Sequence, residues 1–250
     1  MTDNLLAQQA RQALACLDLT SLNDNDTEAD IIVLCQRAQS RFGAVAAVCV
    51  WPRLAAFARS QLPLHIKVAA VANFPDGSSD VQRAVRDVQA IQQAGAQEVD
   101  VVLPFRDLPA APALLQTVRR ACEGLTLKVI LETGELMDPA LIQTASHMAL
   151  DAGADFIKTS TGKSPRSASP EAARVMLLAI AWLPASQAGF KASGGIRTLA
   201  DAAVYMQLTA ELLGADAVTP ARFRIGASSL LADIEAVLAG LDRPTASGTY

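Results

Sequence analysis

The sequence predicts an α/β fold, a single-domain TIM-type (β/α)₈ barrel spanning residues 1–250. Three observations predict it. Eight short, largely β-branched or apolar runs alternate with helical stretches of Ala, Gln, Arg and Leu, which implies parallel strands with helices outside. A chain of 250 residues matches one such barrel. No G-x-G-x-x-G follows the first run, which weighs against an open doubly wound sheet. An internal echo supports a repeated unit: Gly95-Ala-Gln-Glu-Val, Gly153-Ala-Asp-Phe-Ile and Gly214-Ala-Asp-Ala-Val each end a helical stretch. Glycine suits the left-handed position after a helix, and the apolar residues behind it open the next strand in the first two cases.

In chain order the expected strands are 14–19, 45–51, 67–73, 98–103, 127–132, 155–160, 189–192 and 223–226. After Ser79, Val81, Ala84, Val85, Val88 and Ile91 follow the i, i+3, i+4, i+7 spacing of one buried helix face. Asp138-Pro139 reads as an N-cap with proline at the first helical position, opening a helix whose face carries Leu141, Ile142, Ala145 and Met148. The third echo runs into Thr219-Pro220, so the eighth strand starts only after a further loop. Residues 242–250 read as a mobile C-terminal tail.

Composition narrows the function. Apolar residues make up 51% of the chain and charged residues 18%, enough for a large core without disulfides or metal. A net charge of −4 without any basic run argues against a nucleic-acid or anionic-membrane partner. The apolar runs are too short to span a bilayer. Four widely spaced cysteines with no C-x-x-C pair, and a polar stretch soon after Met1, point to free thiols in a reducing cytoplasm. His65 and His147 are the only histidines, too few nitrogen ligands for a metal-dependent mechanism, so neither metal nor cofactor is expected. The Ala-rich helix faces are compatible with a homodimer but do not fix an oligomeric state.

There are 16 arginines and only 5 lysines. An arginine cannot act as a neutral amine nucleophile, whereas a desolvated lysine can. Lys67 and Lys128 stand at strand beginnings and read as cations snorkelling to solvent. Strand alternation points the other candidates inward: Val99, Val101 and Leu103 face the helices, so Asp100 faces the axis. By the same alternation Lys158 on the sixth strand and Lys191 on the seventh enter one enclosed space. Desolvation and mutual repulsion are expected to depress their pKa values and free an amine for attack on a carbonyl; the competing reading is a buried ion pair with Asp18 or Asp100. Asp18 and Thr20 end the first strand, at the rim where this fold keeps its chemistry. Cys49 reads as core filler. Three glycine-bearing loops follow strands six, seven and eight: Thr161-Gly162-Lys163, Gly194-Gly195-Ile-Arg197 and Gly226-Ala-Ser228-Ser229. Such loops let backbone N–H groups approach a phosphate.

The runs Leu17-Asp-Leu-Thr20, Glu98-Val-Asp-Val-Val, Ile130-Leu-Glu-Thr-Gly-Glu-Leu136, Asp155-Phe-Ile-Lys-Thr-Ser-Thr-Gly-Lys163, Gly194-Gly-Ile-Arg197 and Arg224-Ile-Gly-Ala-Ser-Ser229 resemble the deoxyribose-phosphate aldolase family over nearly the whole chain. The resemblance implies a class I aldolase on a (β/α)₈ barrel, interconverting 2-deoxy-D-ribose 5-phosphate with acetaldehyde and D-glyceraldehyde 3-phosphate in deoxyribose phosphate catabolism. It implies Lys158 as the Schiff-base lysine, Lys191 and Asp100 as a proton-relay pair, Asp18 beside them and Tyr250 as a C-terminal tyrosine associated with proton transfer. It places Gly162, Lys163, Gly194, Gly195, Arg197, Gly226, Ser228 and Ser229 on phosphate-binding loops. Two positions depart from the family pattern: Ala192-Ser193 stands where Pro-Ala is expected, and Phe105 where tyrosine is. Another barrel aldolase, a sugar-phosphate isomerase and a non-catalytic phosphosugar sensor are the competing functions.

Overall fold

The computed structural model describes residues 2–183 and 187–241. Eight parallel strands close into a barrel: β1 (Leu17–Thr20), β2 (Ala47–Val50), β3 (Lys67–Ala72), β4 (Glu98–Val102), β5 (Thr126–Ile130), β6 (Phe156–Lys158), β7 (Gly189–Ser193) and β8 (Phe223–Ala227). Each strand lies beside its sequence neighbours, and β8 closes on β1 with Leu17 opposite Ile225 and Asp18 opposite Gly226. Around the barrel run α1 (Thr2–Ala15), α2 (Glu28–Arg37), α3 (Pro52–Gln61), α4 (Val81–Gln93), α5 (Ala111–Ala121), the short α6 (Thr133–Leu136), α7 (Pro139–Asp151), α8 (Pro170–Ala181), α9 (Leu199–Leu213) and α10 (Leu230–Ala239). The predicted fold class is the observed one.

The helices begin where capping chemistry places them. Asp80 accepts the Arg83 N–H at the start of α4, and Asp138 accepts the Ala140 N–H at the start of α7. The α4 stripe buries Ala84, Val88 and Ile91, while Val81 and Val85 are only half-buried. On α7 the buried stripe is Ile142, Ala145, Ser146 and Ala149; Leu141, expected inward, is exposed and Met148 is half-buried. The face has rotated by about one residue, because Ser146 can turn its hydroxyl back onto the Ile142 carbonyl and so be buried at little cost.

The first strand begins later than the sequence pattern suggests. Leu14 belongs to α1, whose Ala10, Ala13 and Leu14 form an i, i+3, i+4 stripe against the core, so extended structure starts only at Leu17. Gly95 and Gly153 end α4 and α7 with φ of 73° and 83°, as the echo predicted. Gly214 caps α9 and leads into a short 3₁₀ turn before β8. The strands are buried on both faces, apolar side chains meeting the helices and a polar set filling the axis. Among the described residues no helix is long and apolar enough to cross a membrane. The expected tail, residues 242–250, lies outside the described residues.

Candidate active site

Period-2 alternation on β4, β5, β6, β7 and β8 turns Glu98, Asp100, Lys128, Lys158, Lys191 and Arg224 onto the barrel axis, where Asp18 of β1 joins them. All seven are buried. Four cations therefore face three carboxylates. Asp100 is the hub: Oδ1 accepts Lys128 at 2.9 Å, while Oδ2 accepts Lys158 at 2.9 Å and Lys191 at 2.8 Å. Lys191 also donates to Asp18 Oδ2 at 2.5 Å. Below this hub Arg224 bridges Asp18 Oδ1 at 2.6 Å and Glu98 Oε1 at 2.8 Å, and Lys128 reaches Glu98 Oε2 at 2.5 Å. The Arg224 guanidinium lies over the Phe156 ring, 5.5 Å from its centroid.

These contacts settle the lysine electrostatics against the sequence expectation. Burial by itself would lower the Lys191 pKa, but the Asp100 and Asp18 carboxylates outweigh it and hold the ammonium well above its ordinary range. Lys191 is an ion-paired cation and not a depressed amine. Lys128 is raised too, against burial, by Asp100, Glu98 and Asp18. It does not snorkel: it is fully buried and pins Asp100, whereas Lys67 is half-buried at its strand start as expected. Burial would raise Asp100 and Asp18, but three surrounding cations in each case hold both well below the usual carboxylate range. Lys158 differs in geometry. Among the described residues Asp100 is its one carboxylate partner, and the Asp100 oxygen it meets is shared with Lys191.

Cys49 of β2 reaches the same hub, with Sγ 4.0 Å from Asp100 Oδ2, and burial together with that carboxylate pushes its thiol pKa up. It is therefore both core filler and a wall of the charged interior. All four cysteines are buried and unpaired.

The three loops predicted to hold phosphate follow β6, β7 and β8. Gly162, Gly194 and Gly195 adopt φ of 80°, 90° and 80°. A Cβ on Gly194 would meet the Ser167 side chain at 2.6 Å; Gly226, expected in the loop after β8, is instead a strand residue, where a Cβ would meet Ser193 Oγ at 2.7 Å. Thr161 is buried and its hydroxyl accepts the Lys163 N–H at 3.0 Å. The Lys163 ammonium lies 3.7 Å from Asp24. Arg197 N–H donates to Asp201 at the capping box of α9, Ser228 is half-buried, and Ser229 is the exposed N-cap of α10. The Thr20 hydroxyl donates to the Asp18 carbonyl. Tyr250 lies outside the described residues. His65 is exposed and His147 half-buried, and the described residues hold no cluster of His, Cys, Asp or Glu suited to a metal.

Sequence reasoning missed four members of the site. Glu98, Lys128 and Arg224 share the inward parity of Asp100 and Lys191, so alternation applied to every charged strand residue would have found them. Glu132 ended the expected fifth strand with the parity of Lys128, but β5 stops at Ile130, so a turn and not the strand sets its place. Its backbone is left-handed at φ 55°, its side chain is buried, and Oε2 accepts both the hydroxyl of Thr161 at 2.5 Å and its N–H at 3.2 Å. Burial raises the Glu132 pKa against the Thr161 hydrogen bonds. Phe105, where a tyrosine was expected, is buried with the Arg106 guanidinium 4.5 Å from its ring centroid. Ser193, where an alanine was expected, extends β7; its N–H donates to the Thr159 hydroxyl, which in turn donates to the Ser193 carbonyl.

Solved structures of other proteins share this fold. A crystal structure from Toxoplasma gondii ME49, of a protein provisionally named deoxyribose-phosphate aldolase, aligns over 96% of this chain and 97% of its own with a TM-score of 0.88 at 23% identity, a likeness of fold. A protein of Coccidioides immitis with the same provisional name aligns over 92% of this chain and 94% of its own, with a TM-score of 0.78 at 29% identity. The tetrameric deoxyribose phosphate aldolase of Aeropyrum pernix covers 92% of this chain and 96% of its own, with a TM-score of 0.73 at 26% identity. Residues 12–236 match the model of the DeoC/LacD family aldolases, from just before β1 into α10. With the match spanning the whole barrel and its charged interior, this chain belongs to the DeoC/LacD aldolase family.

Proposed function

We propose that the chain is a Schiff-base aldolase that reversibly cleaves 2-deoxy-D-ribose 5-phosphate to D-glyceraldehyde 3-phosphate and acetaldehyde, in the catabolism of deoxyribose phosphate. One observation carries this reading: Lys158 and Lys191 converge on a single oxygen of Asp100, on the two strands that lead into the Gly162 and Gly194-Gly195 loops. Four cations against three carboxylates leave one positive charge in excess, and Lys158 is the ammonium with the fewest carboxylate partners. A proton lost there leaves the cluster balanced and Lys158 as a free amine.

The amine attacks the C1 aldehyde of the open-chain sugar and expels water, giving a protonated imine. As the C3 hydroxyl loses its proton, the C2–C3 bond breaks and its electron pair flows into the imine, leaving an enamine on Lys158. Glyceraldehyde 3-phosphate departs. Protonation at C2 and hydrolysis then release acetaldehyde and restore the amine. Asp100 and Lys191 are the pair placed to move these protons, and Asp18 keeps Lys191 charged. Lys191 acts as a proton donor and field source and Lys158 as the nucleophile, two roles set apart by their different partners. The loops after β6, β7 and β8, with Gly162, Lys163, Gly194, Gly195, Arg197, Gly226, Ser228 and Ser229, hold the phosphate as a remote anchor that fixes orientation. The organic steps call for no cofactor. A reducing cytoplasmic setting accords with four unpaired thiols.

The test is chemical. Acetaldehyde with borohydride adds a two-carbon reduced adduct at Lys158, located by peptide mass spectrometry, and release of acetaldehyde from deoxyribose 5-phosphate is followed by a coupled assay. A protein labelled elsewhere, or not at all, does not work by this route.

A further inference from the structure

Three unfavourable features coincide at Glu132. Its backbone is left-handed at φ 55°, a conformation that side-chain-bearing residues rarely adopt. Its carboxyl is buried, with only 1% of the residue exposed. One of its oxygens, Oε1, has no hydrogen-bond partner among the described residues. Strain, desolvation and an orphaned acceptor at one residue persist when the surrounding structure demands them, and they concentrate at functional positions. What Glu132 does hold is visible: Oε2 takes the hydroxyl and the N–H of Thr161, and the Thr161 oxygen takes the N–H of Lys163. The left-handed turn at Glu132 is what ends β5 and starts α6, and the Thr133 N–H then ties to the Thr159 carbonyl. Glu132 thus sits on one strand end and sets the shape of the next.

We propose that Glu132 is a positioning residue for the anion cradle: by holding Thr161, and through it the Lys163 backbone, it fixes the loop after β6 in the conformation that receives a phosphate. The inference rests on the aldolase reading for the identity of the phosphate-bearing substrate, but not for the existence of the cradle. Glu132 touches no reacting atom in this scheme. Its effect is on binding, transmitted through Thr161. One oxygen is given wholly to the loop, while the other takes no hydrogen bond among the described residues.

The experiment measures inorganic phosphate binding to the full chain by titration calorimetry, for the wild type and for Glu132→Ala, Glu132→Gln, Thr161→Val and the Glu132→Ala/Thr161→Val double variant. Glu132→Gln keeps an acceptor oxygen for Thr161 and is expected within threefold of wild-type Kd. Glu132→Ala and Thr161→Val are expected to weaken phosphate at least tenfold each, and the double variant no more than the worse single one, since both break one chain of contacts. In turnover, Glu132→Ala lowers the preference for phosphorylated over unphosphorylated deoxyribose at least tenfold, measured as the ratio of kcat/KM values. Four results overturn the proposal: no phosphate binding by the wild type, Glu132→Ala within twofold of wild type, Glu132→Gln as weak as Glu132→Ala, or fully additive losses. If Glu132→Ala does not fold, Thr161→Val and Glu132→Gln decide the matter by the same thresholds. Acetaldehyde–borohydride labelling of Lys158, run alongside, reports on the aldolase reading separately, because it uses no phosphate.

Discussion

The floor and the mouth of the barrel solve the problem of buried charge in opposite ways. On the floor, Arg224, Glu98, Lys128 and Asp18 form a closed set in which every charge has at least two opposite partners. At the mouth, among the described residues, Lys158 has one carboxylate partner, and Glu132 Oε1, Thr133 Oγ1 and Ser160 Oγ are buried without a hydrogen-bond partner. A closed network is complete in itself and holds its members rigid, while an open one is completed by whatever binds. The difference teaches that removing a floor charge should damage the fold, and removing a mouth charge should damage the chemistry.

The sharpest way to break that division is to compare lysines. Lys158→Leu should abolish turnover, by a factor on the order of 10³ or more, while leaving stability nearly unchanged, since Asp100 keeps Lys128 and Lys191. Lys191→Leu should lose most turnover, on the order of a hundredfold, yet still bind phosphosugar in calorimetry. Unchanged turnover would take Lys191 out of the mechanism. Lys128→Met should instead cost about 2–3 kcal/mol in urea unfolding, because Glu98 is left with Arg224 alone and Asp100 Oδ1 loses its lysine partner. A stable Lys128→Met protein would dissolve the distinction between floor and mouth.

The charged interior as a whole also has a pH signature. Depressed carboxyls, as in Asp18 and Asp100, give stability that is present above their ordinary range near pH 4 and lost as pH falls through their lower folded values. Raised ammonium groups, as in Lys128 and Lys191, give stability that is present below roughly pH 10.5 and lost as pH rises through their higher folded values. The penalty of Lys128→Met should therefore stay level between about pH 5 and pH 9 and shrink below pH 4, read from urea midpoints against pH. The smallest effect is steric. Gly189→Ala at the base of β7 would push a Cβ to 2.3 Å from the Phe156 ring and 2.7 Å from the Arg222 carbonyl, costing about 1–3 kcal/mol of stability with little change in KM.

Alternation on the strands made the inward places of Asp100, Lys158 and Lys191 legible before any coordinates, and the Asp138 cap and the Gly95 and Gly153 helix ends were legible from local chemistry. Lys128 was misread because a lysine at a strand beginning resembles any solvent-seeking cation until the barrel closes over it. Glu132 was legible only as part of a motif, since its left-handed turn breaks the periodicity on which the other assignments relied.

By itself, the order of residues determined which side chains face the axis, where helices start and which loops carry the glycines, because these depend on neighbours a few positions away. Tertiary structure alone decided the charge state of the interior. Arg224 meets Asp18 across 206 positions and Lys191 meets it across 173, and a buried ammonium is raised or lowered according to how many carboxylates stand within a few ångströms. Two lysines of the same parity on adjacent strands thus end with different numbers of partners, and only the closed barrel counts them.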